Sequence, residues 1–187
     1  MRTVARAPQR RLTRWIGLLL AGCGFCLAFT HTASAQSEDG IKAAFIYNFA
    51  KFTNWPAKAF ADANAPINVG FVAADSMADL FEKNVTGKNA NGRDFAVKRL
   101  SGSAGAESCQ IVYIGDGQQA AAVIAAAKGK PILTVGNSDA FAGAGGMVNF
   151  IKDGAKIKFD LDLGATSSAE LKLDEKIRQL ARNVKGG

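Results

Sequence analysis

The chain has 187 residues, a length that suits one domain, with 23 lysines and arginines against 16 aspartates and glutamates and a formal net charge of +7. Cys23, Cys26 and the only histidine, His31, all fall within its first 35 residues. Beyond residue 35 one cysteine and no histidine remain, which excludes histidine-based triads, His/Cys zinc sites, haem held through histidine and an intramolecular disulfide.

The first 35 residues have the order of a secretory signal peptide. Arg2, Arg6, Arg10, Arg11 and Arg14 form a positive start, Trp15 to Phe29 is an apolar run, and Ala33-Ser34-Ala35 is a small-x-small cleavage site. The apolar run is shorter than the roughly 20 residues a membrane-spanning helix needs. Cleavage after Ala35 is therefore expected, leaving residues 36–187 as the working domain in the periplasm. The alternative is a lipoprotein box at Leu20-Ala21-Gly22-Cys23, but the apolar run continues for six residues past Cys23, where a lipidated cysteine is normally followed by a polar tether. Five of the basic residues leave with the signal, so 18 basic residues face 16 acidic ones. No basic cluster interleaved with aromatics remains, and nucleic acid is not an expected partner.

In chain order, Ile41 to Phe52 places apolar residues at helical spacing, and Trp55-Pro56 ends that helix because a proline disfavours helix in the residue before it. Ile67 to Val72 reads as a strand, Asp75 or Ser76 through Lys83 as a helix, and Phe95 to Leu100 as an alternating strand. Ile111 to Ile114 is an apolar run of the kind buried on both faces. Gly115-Asp116-Gly117 turns into an alanine-rich helix from Gln118 to Lys128, which Gly129 and Pro131 stop. Ile132 to Val135 is another strand, with a helical turn near Ser138 to Phe141 and a loop over Gly143 to Gly146. Met147–Lys152 and Lys156–Leu161 flank Asp153-Gly154-Ala155 as a hairpin, and Asp174 to Val184 reads as a closing amphipathic helix. Alternating strands and helices followed by a hairpin predict an α/β domain, a mixed parallel and antiparallel sheet with helices on both faces.

No motif in this set carries catalysis, and the reading is of a protein that is not an enzyme and needs no cofactor. Gly143-Ala144-Gly145-Gly146 lacks the lysine and Ser/Thr of a P-loop, and Gly115-Asp116-Gly117 lacks the third glycine of a dinucleotide loop. Asp160 and Asp162 share a strand face but read as solvated surface, and no metal site is predicted. Cys109, inside a strand-like run, reads as a buried and inert thiol. The richest segment is Lys42 to Pro56, whose aromatics exceed what one helix needs to pack. Most of it reads as core, and Tyr47, Asn48, Lys51 and Trp55 are the candidates for contact with a partner. The hairpin around Asp153-Gly154 is a second candidate surface.

The run Lys42 to Phe52 with Trp55-Pro56 resembles the opening signature of the YfiR-like family of exported bacterial proteins. Ile67-Asn68-Val69-Gly70, Cys109 to Ile114, Ile132 to Ser138, Gly145 to Phe150 and Lys176 to Val184 continue the resemblance in order. The resemblance implies a non-enzymatic periplasmic regulator. Such a protein binds and represses the periplasmic sensor region of a membrane-anchored diguanylate cyclase, which lowers cyclic di-GMP signalling and biofilm formation. It further implies an OmpA-like outer-membrane lipoprotein that sequesters the regulator; a second copy of the chain is another candidate partner. Cys109 matches a family cysteine position, but no second cysteine after residue 35 can pair with it, so intramolecular redox control is not expected here. The alternative function is a periplasmic small-molecule-binding module feeding another membrane sensor, its ligand held in the crevice at the carboxyl ends of the strands.

Overall fold

Ser37 caps the first helix: its hydroxyl accepts from the Gly40 amide at 3.1 Å at the start of α1 (Glu38–Phe52), with Glu38 and Asp39 placed where the helix dipole favours acids. The computed structural model describes residues 37–186, so the signal peptide, the cut after Ala35 and Cys23 lie outside the described residues. After α1 come β1 (Thr53–Asn54), β2 (Ile67–Val72), α2 (Asp75–Val85), β3 (Phe95–Leu100) and β4 (Ile111–Ile114). Then follow α3 (Ala120–Ala127), β5 (Leu133–Gly136), α4 (Asp139–Gly143), β6 (Val148–Asp153) and β7 (Lys156–Asp162). The chain closes with α5 (Leu163–Ser168), β8 (Lys172–Leu173), α6 (Glu175–Leu180) and β9 (Asn183–Lys185).

Seven strands make one sheet in the order β3-β2-β4-β5-β6-β7-β9. The first five are mutually parallel, β7 returns antiparallel to β6, and β9 lies parallel to β7. The expected mixed α/β sheet is what forms. The hairpin falls where it was read, Asp153 pairing with Lys156 across Gly154-Ala155, with Gly154 at φ +60°. A two-stranded tie, β1 with β8, fastens the end of α1 to the chain 120 residues later through Thr53 opposite Leu173.

Helices occupy both faces. On one, α1, α2 and Ile177 of α6 pack on the alternate residues of the sheet, among them Phe71, Tyr113, Phe150 and Phe159, in one apolar core. Phe49 lies edge-on to Phe159 at 5.1 Å and beside Phe150 at 5.9 Å. On the other face α3 and α4 cover β2, β4 and β5 through Val123, Ala120 and Phe141. That cover thins over β6 and β7, where Ile151, Lys158, Asp160 and Asp162 are half-buried.

The expected closing helix from Asp174 to Val184 is a correction. The helix stops at Leu180, and Asn183–Lys185 form β9 instead. Ile177 is the only residue α6 buries, while Leu180 and Val184 stay 57% and 43% exposed, so extending the helix would cover little more apolar surface. The open edge of β7 offers unpaired backbone groups in its place. The Arg182 amide donates to the Phe159 carbonyl at 2.8 Å, and the Arg182 guanidinium and Asn183 amide converge on Asp160.

Candidate functional site

The helix α1 carries three of the four predicted contact residues, and its 3.6-residue period separates them. Ala43, Ile46, Phe49 and Ala50 face the core. Asn48 and Lys51, three apart, lie on the side away from it, Asn48 half-buried and Lys51 exposed. Lys51 Nζ sits 5.6 Å from the Phe52 ring and, among the described residues, no carboxylate lies within 4.0 Å of it. Tyr47 turns to the flank: its ring packs on Phe95 at 5.8 Å under Lys88 Nζ at 5.4 Å, and its hydroxyl donates to the Asn89 carbonyl at 3.5 Å.

Trp55 stands beyond the helix and apart from the other three. It meets Phe60 edge-on at 6.4 Å and lines a groove of about 590 Å³ with Asn54, Pro56, Ser167, Glu170, Leu171 and Lys172. Its Nε1 is buried without a hydrogen-bond partner among the described residues, and so is Thr53 Oγ1. The structure therefore brings Asn48 and Lys51 together, sets Tyr47 against the loop after α2, and gives Trp55 its own groove. Lys152 pairs with Glu38, which ties the hairpin to the start of α1. At the hairpin tip a hydrogen bond from Lys158, at 2.8 Å, holds the Asp153 carboxyl below the ordinary aspartate range.

At the carboxyl ends of β2 and β4, where the crevice is expected, the two loops that follow the strands meet. A Cβ on Gly115 would lie 2.6 Å from the Ala73 carbonyl oxygen, so the two loops touch there. Gly117 is likewise pressed against the Ser138 hydroxyl, and Asp116 caps the following turn through the Gln118 amide at 2.9 Å. Cys109 is buried as expected; its thiol points at the Gly105 carbonyl, 3.7 Å away, and burial pushes its pKa up. Burial, with the Asp39 charge adding to it, also raises the Tyr113 phenol above the ordinary tyrosine range.

Asp160 and Asp162 are a second correction, because neither is free surface. Their side chains are 32% and 17% exposed, and each has a cation: Arg182 donates to Asp160 at 2.9 and 2.6 Å, and Lys185 Nζ lies 3.0 Å from Asp162. Asp162 also caps α5 through the Ala165 amide at 2.8 Å. Beside them, from β6, stands Asn149, 6% exposed, with Oδ1 buried and unpartnered among the described residues. Asn149 pairs in register with Asp160, and Asp160 with Asn183. Sequence reasoning passed over Asn149, whose only signal is a polar residue inside an apolar strand.

A family model described as DUF4154, YfiR/HmsC-like, matches residues 39–182. The chain belongs to the YfiR/HmsC-like family. Its match takes in α1 through Arg182 and thus nearly every element of the sheet. This is a family of periplasmic regulators without catalytic activity that act on membrane diguanylate cyclases. A crystal structure of a conserved domain protein from Vibrio cholerae O1 biovar El Tor is similar in fold, with a TM-score of 0.54 at 12% identity over 80% of this chain. The chain spans 60% of the length of that protein. No curated protein matches in sequence. Among the described residues no helix is long and apolar enough to cross a membrane.

Proposed function

We propose that this YfiR/HmsC-like protein binds the periplasmic sensor region of a membrane-anchored diguanylate cyclase and holds the enzyme inactive, which lowers cyclic di-GMP and biofilm formation. The observation that carries the reading is the family match over residues 39–182. The geometry supports contact by surface complementarity. Lys51 presents a cation with no carboxylate within 4.0 Å among the described residues, Asn48 lies one turn before it, and Trp55 lines an open groove. Tyr47 flanks this surface with its ring half-covered. Aromatic and basic residues of this kind anchor interfaces, the aromatic body supplying buried area. An OmpA-like lipoprotein would relieve the repression by competing for the regulator.

The test is binding of the purified protein to the periplasmic domain of a diguanylate cyclase encoded beside it, followed by cyclic di-GMP measurement in cells. Lys51→Glu and Trp55→Ala should each weaken binding and raise cyclic di-GMP. Binding that neither substitution alters would remove this surface from the interface, and a folded protein that never binds the domain would remove the function.

A further inference from the structure

Folding gathers at the end of α1 a row of lysines that the sequence keeps far apart. Two distant segments dock there. The loop after α2 is held by the Tyr47 hydroxyl, which donates to the Asn89 carbonyl at 3.5 Å, and by the Asn91 side-chain amide, which donates to the Lys51 carbonyl at 3.3 Å. It brings Lys88, whose Nζ lies 5.4 Å from the centre of the Tyr47 ring. On the other side β8 and the start of α6 are fixed by Asn54 opposite Lys172 and by the Asp174 amide, which donates to the Phe52 carbonyl at 2.9 Å. They bring Lys172 and Lys176. Lys176 Nζ lies 5.3 Å from the centre of the Phe52 ring, which Lys51 Nζ approaches to 5.6 Å.

Lys51, Lys88, Lys172 and Lys176 are all exposed, and among the described residues none of them has a carboxylate within 4.0 Å. The acids nearest in the chain are engaged otherwise. Glu170 faces Lys58, Glu175 faces Arg178, and Asp174 caps α6 through the Lys176 amide at 2.9 Å. Elsewhere cations are matched, Lys42 with Asp39, Arg182 with Asp160 and Lys185 with Asp162. Sharing one ring keeps the Lys51 and Lys176 ammoniums within about 11 Å of each other, close to the distance over which salt screens exposed charge. The faces of Phe52 and Tyr47 offset part of the repulsion and hold the lysine stems in place.

A row of unmatched ammoniums fits a surface of opposite charge. Its shape favours a chain segment over a flat bilayer. The groove of about 590 Å³ that Trp55 lines opens beside Lys172, so charge and concavity adjoin. Phe52 and Trp55 are half-buried, which leaves little of either ring to enter lipid. We infer that the row receives an acidic segment of the partner, its carboxylates meeting Lys51, Lys88, Lys172 and Lys176 while the Trp55 groove takes an adjoining side chain. The inference rests on the functional reading above and adds the chemistry of what docks.

The test is the affinity of the purified protein for the periplasmic domain of the diguanylate cyclase encoded beside it, measured from about 50 to about 300 mM salt. Salt should weaken binding about tenfold over that range. Lys51→Gln, Lys172→Gln and Lys176→Gln, made together, keep most of each stem and remove three charges. They should weaken binding about tenfold at low salt, flatten the salt response and leave thermal unfolding unchanged. Trp55→Ala should weaken binding at every salt and keep the original slope. Lys128→Gln, at the end of α3 on the opposite face of the sheet, should change neither. Binding that is indifferent to salt and to the three substitutions would overturn the acidic segment and leave the functional reading standing. A folded protein that never binds the domain would remove both. Binding to phosphatidylglycerol vesicles that the three substitutions abolish, with cyclase binding unchanged, would give the row to a membrane and overturn the inference as well.

Discussion

The two faces of the sheet are built differently. Under α1 lies a wide aromatic core in which Phe45, Phe49, Phe150 and Phe159 stack and edge one another, and every strand from β2 to β7 contributes to it. Under α3 and α4 the core is smaller, made mostly of alanine and valine around Phe141, and it ends before β6 and β7. The strands record this difference. β4 and β5 are buried at every residue, whereas β7 starts exposed at Lys156 and then alternates buried and half-buried. Where the second face loses its cover, polar side chains enter the sheet, and there the orphan amide of Asn149 sits. The α1 face holds the molecule together, and the far face leaves polar side chains of β6 and β7 only half-covered.

The sharpest way to break this contrast is in the aromatic core. Phe49 is fully buried between Phe150 and Phe159, so Phe49→Ala should cost about 3–5 kcal/mol in chemical denaturation. The smaller core is sensitive to crowding in place of loss. Phe141 lies over Gly136 and Gly146, and a methyl group on either glycine would fall inside its ring. Gly146→Ala should cost about 1–3 kcal/mol, much of it recovered when Phe141→Leu is added, a coupling that a double-mutant cycle reads directly.

A third test uses pH. Tyr113 belongs to the aromatic core, and its folded pKa lies above the unfolded value of about 10. The unfolded phenol then loses its proton first, so the contribution is whole below pH 10 and is lost as pH rises from there toward the folded pKa. The loss should reach about 1.4 kcal/mol per pH unit, and Tyr113→Phe should flatten that slope. The smallest effect is expected at the exposed side of α1. Lys51→Glu should change stability by less than about 1 kcal/mol, since it touches only an exposed last-turn charge. A larger change would mean that Lys51 belongs to the core.

How much of this was legible beforehand depends on how local the cause is. β2, β4 and β5 show as largely apolar runs because burial on both faces leaves little room for polar side chains, Asn68 and Thr134 being the exceptions, and Asp153-Gly154-Ala155 marks its hairpin because the turn needs a residue such as Gly154 at positive φ. β9 was hidden. Ile177, Leu180, Ala181 and Val184 are spaced for a helix, and only the distant edge of β7 and the carboxylate of Asp160 pull Asn183–Lys185 into a strand. The β1–β8 tie is two residues on each side and leaves no pattern to read. At the candidate surface, the helical period of α1 was visible, but the separation of Trp55 from Lys51 was not. The groove that holds Trp55 borrows Ser167, Glu170 and Leu171 from the far end of the chain. Asn149 could not be singled out either, because an unsatisfied acceptor is defined by neighbours that sequence does not name.

The tie between Thr53 and Leu173 also has a consequence in time. Helix α1 comes first among the described elements, yet what it covers, Phe150, Phe159 and Ile177, comes about a hundred or more residues later. Sequence-distant contacts of that kind make folding slow to begin. A nascent copy therefore cannot close this core until nearly its whole length is available, and the last short strand pair, β1 with β8, joins its two ends.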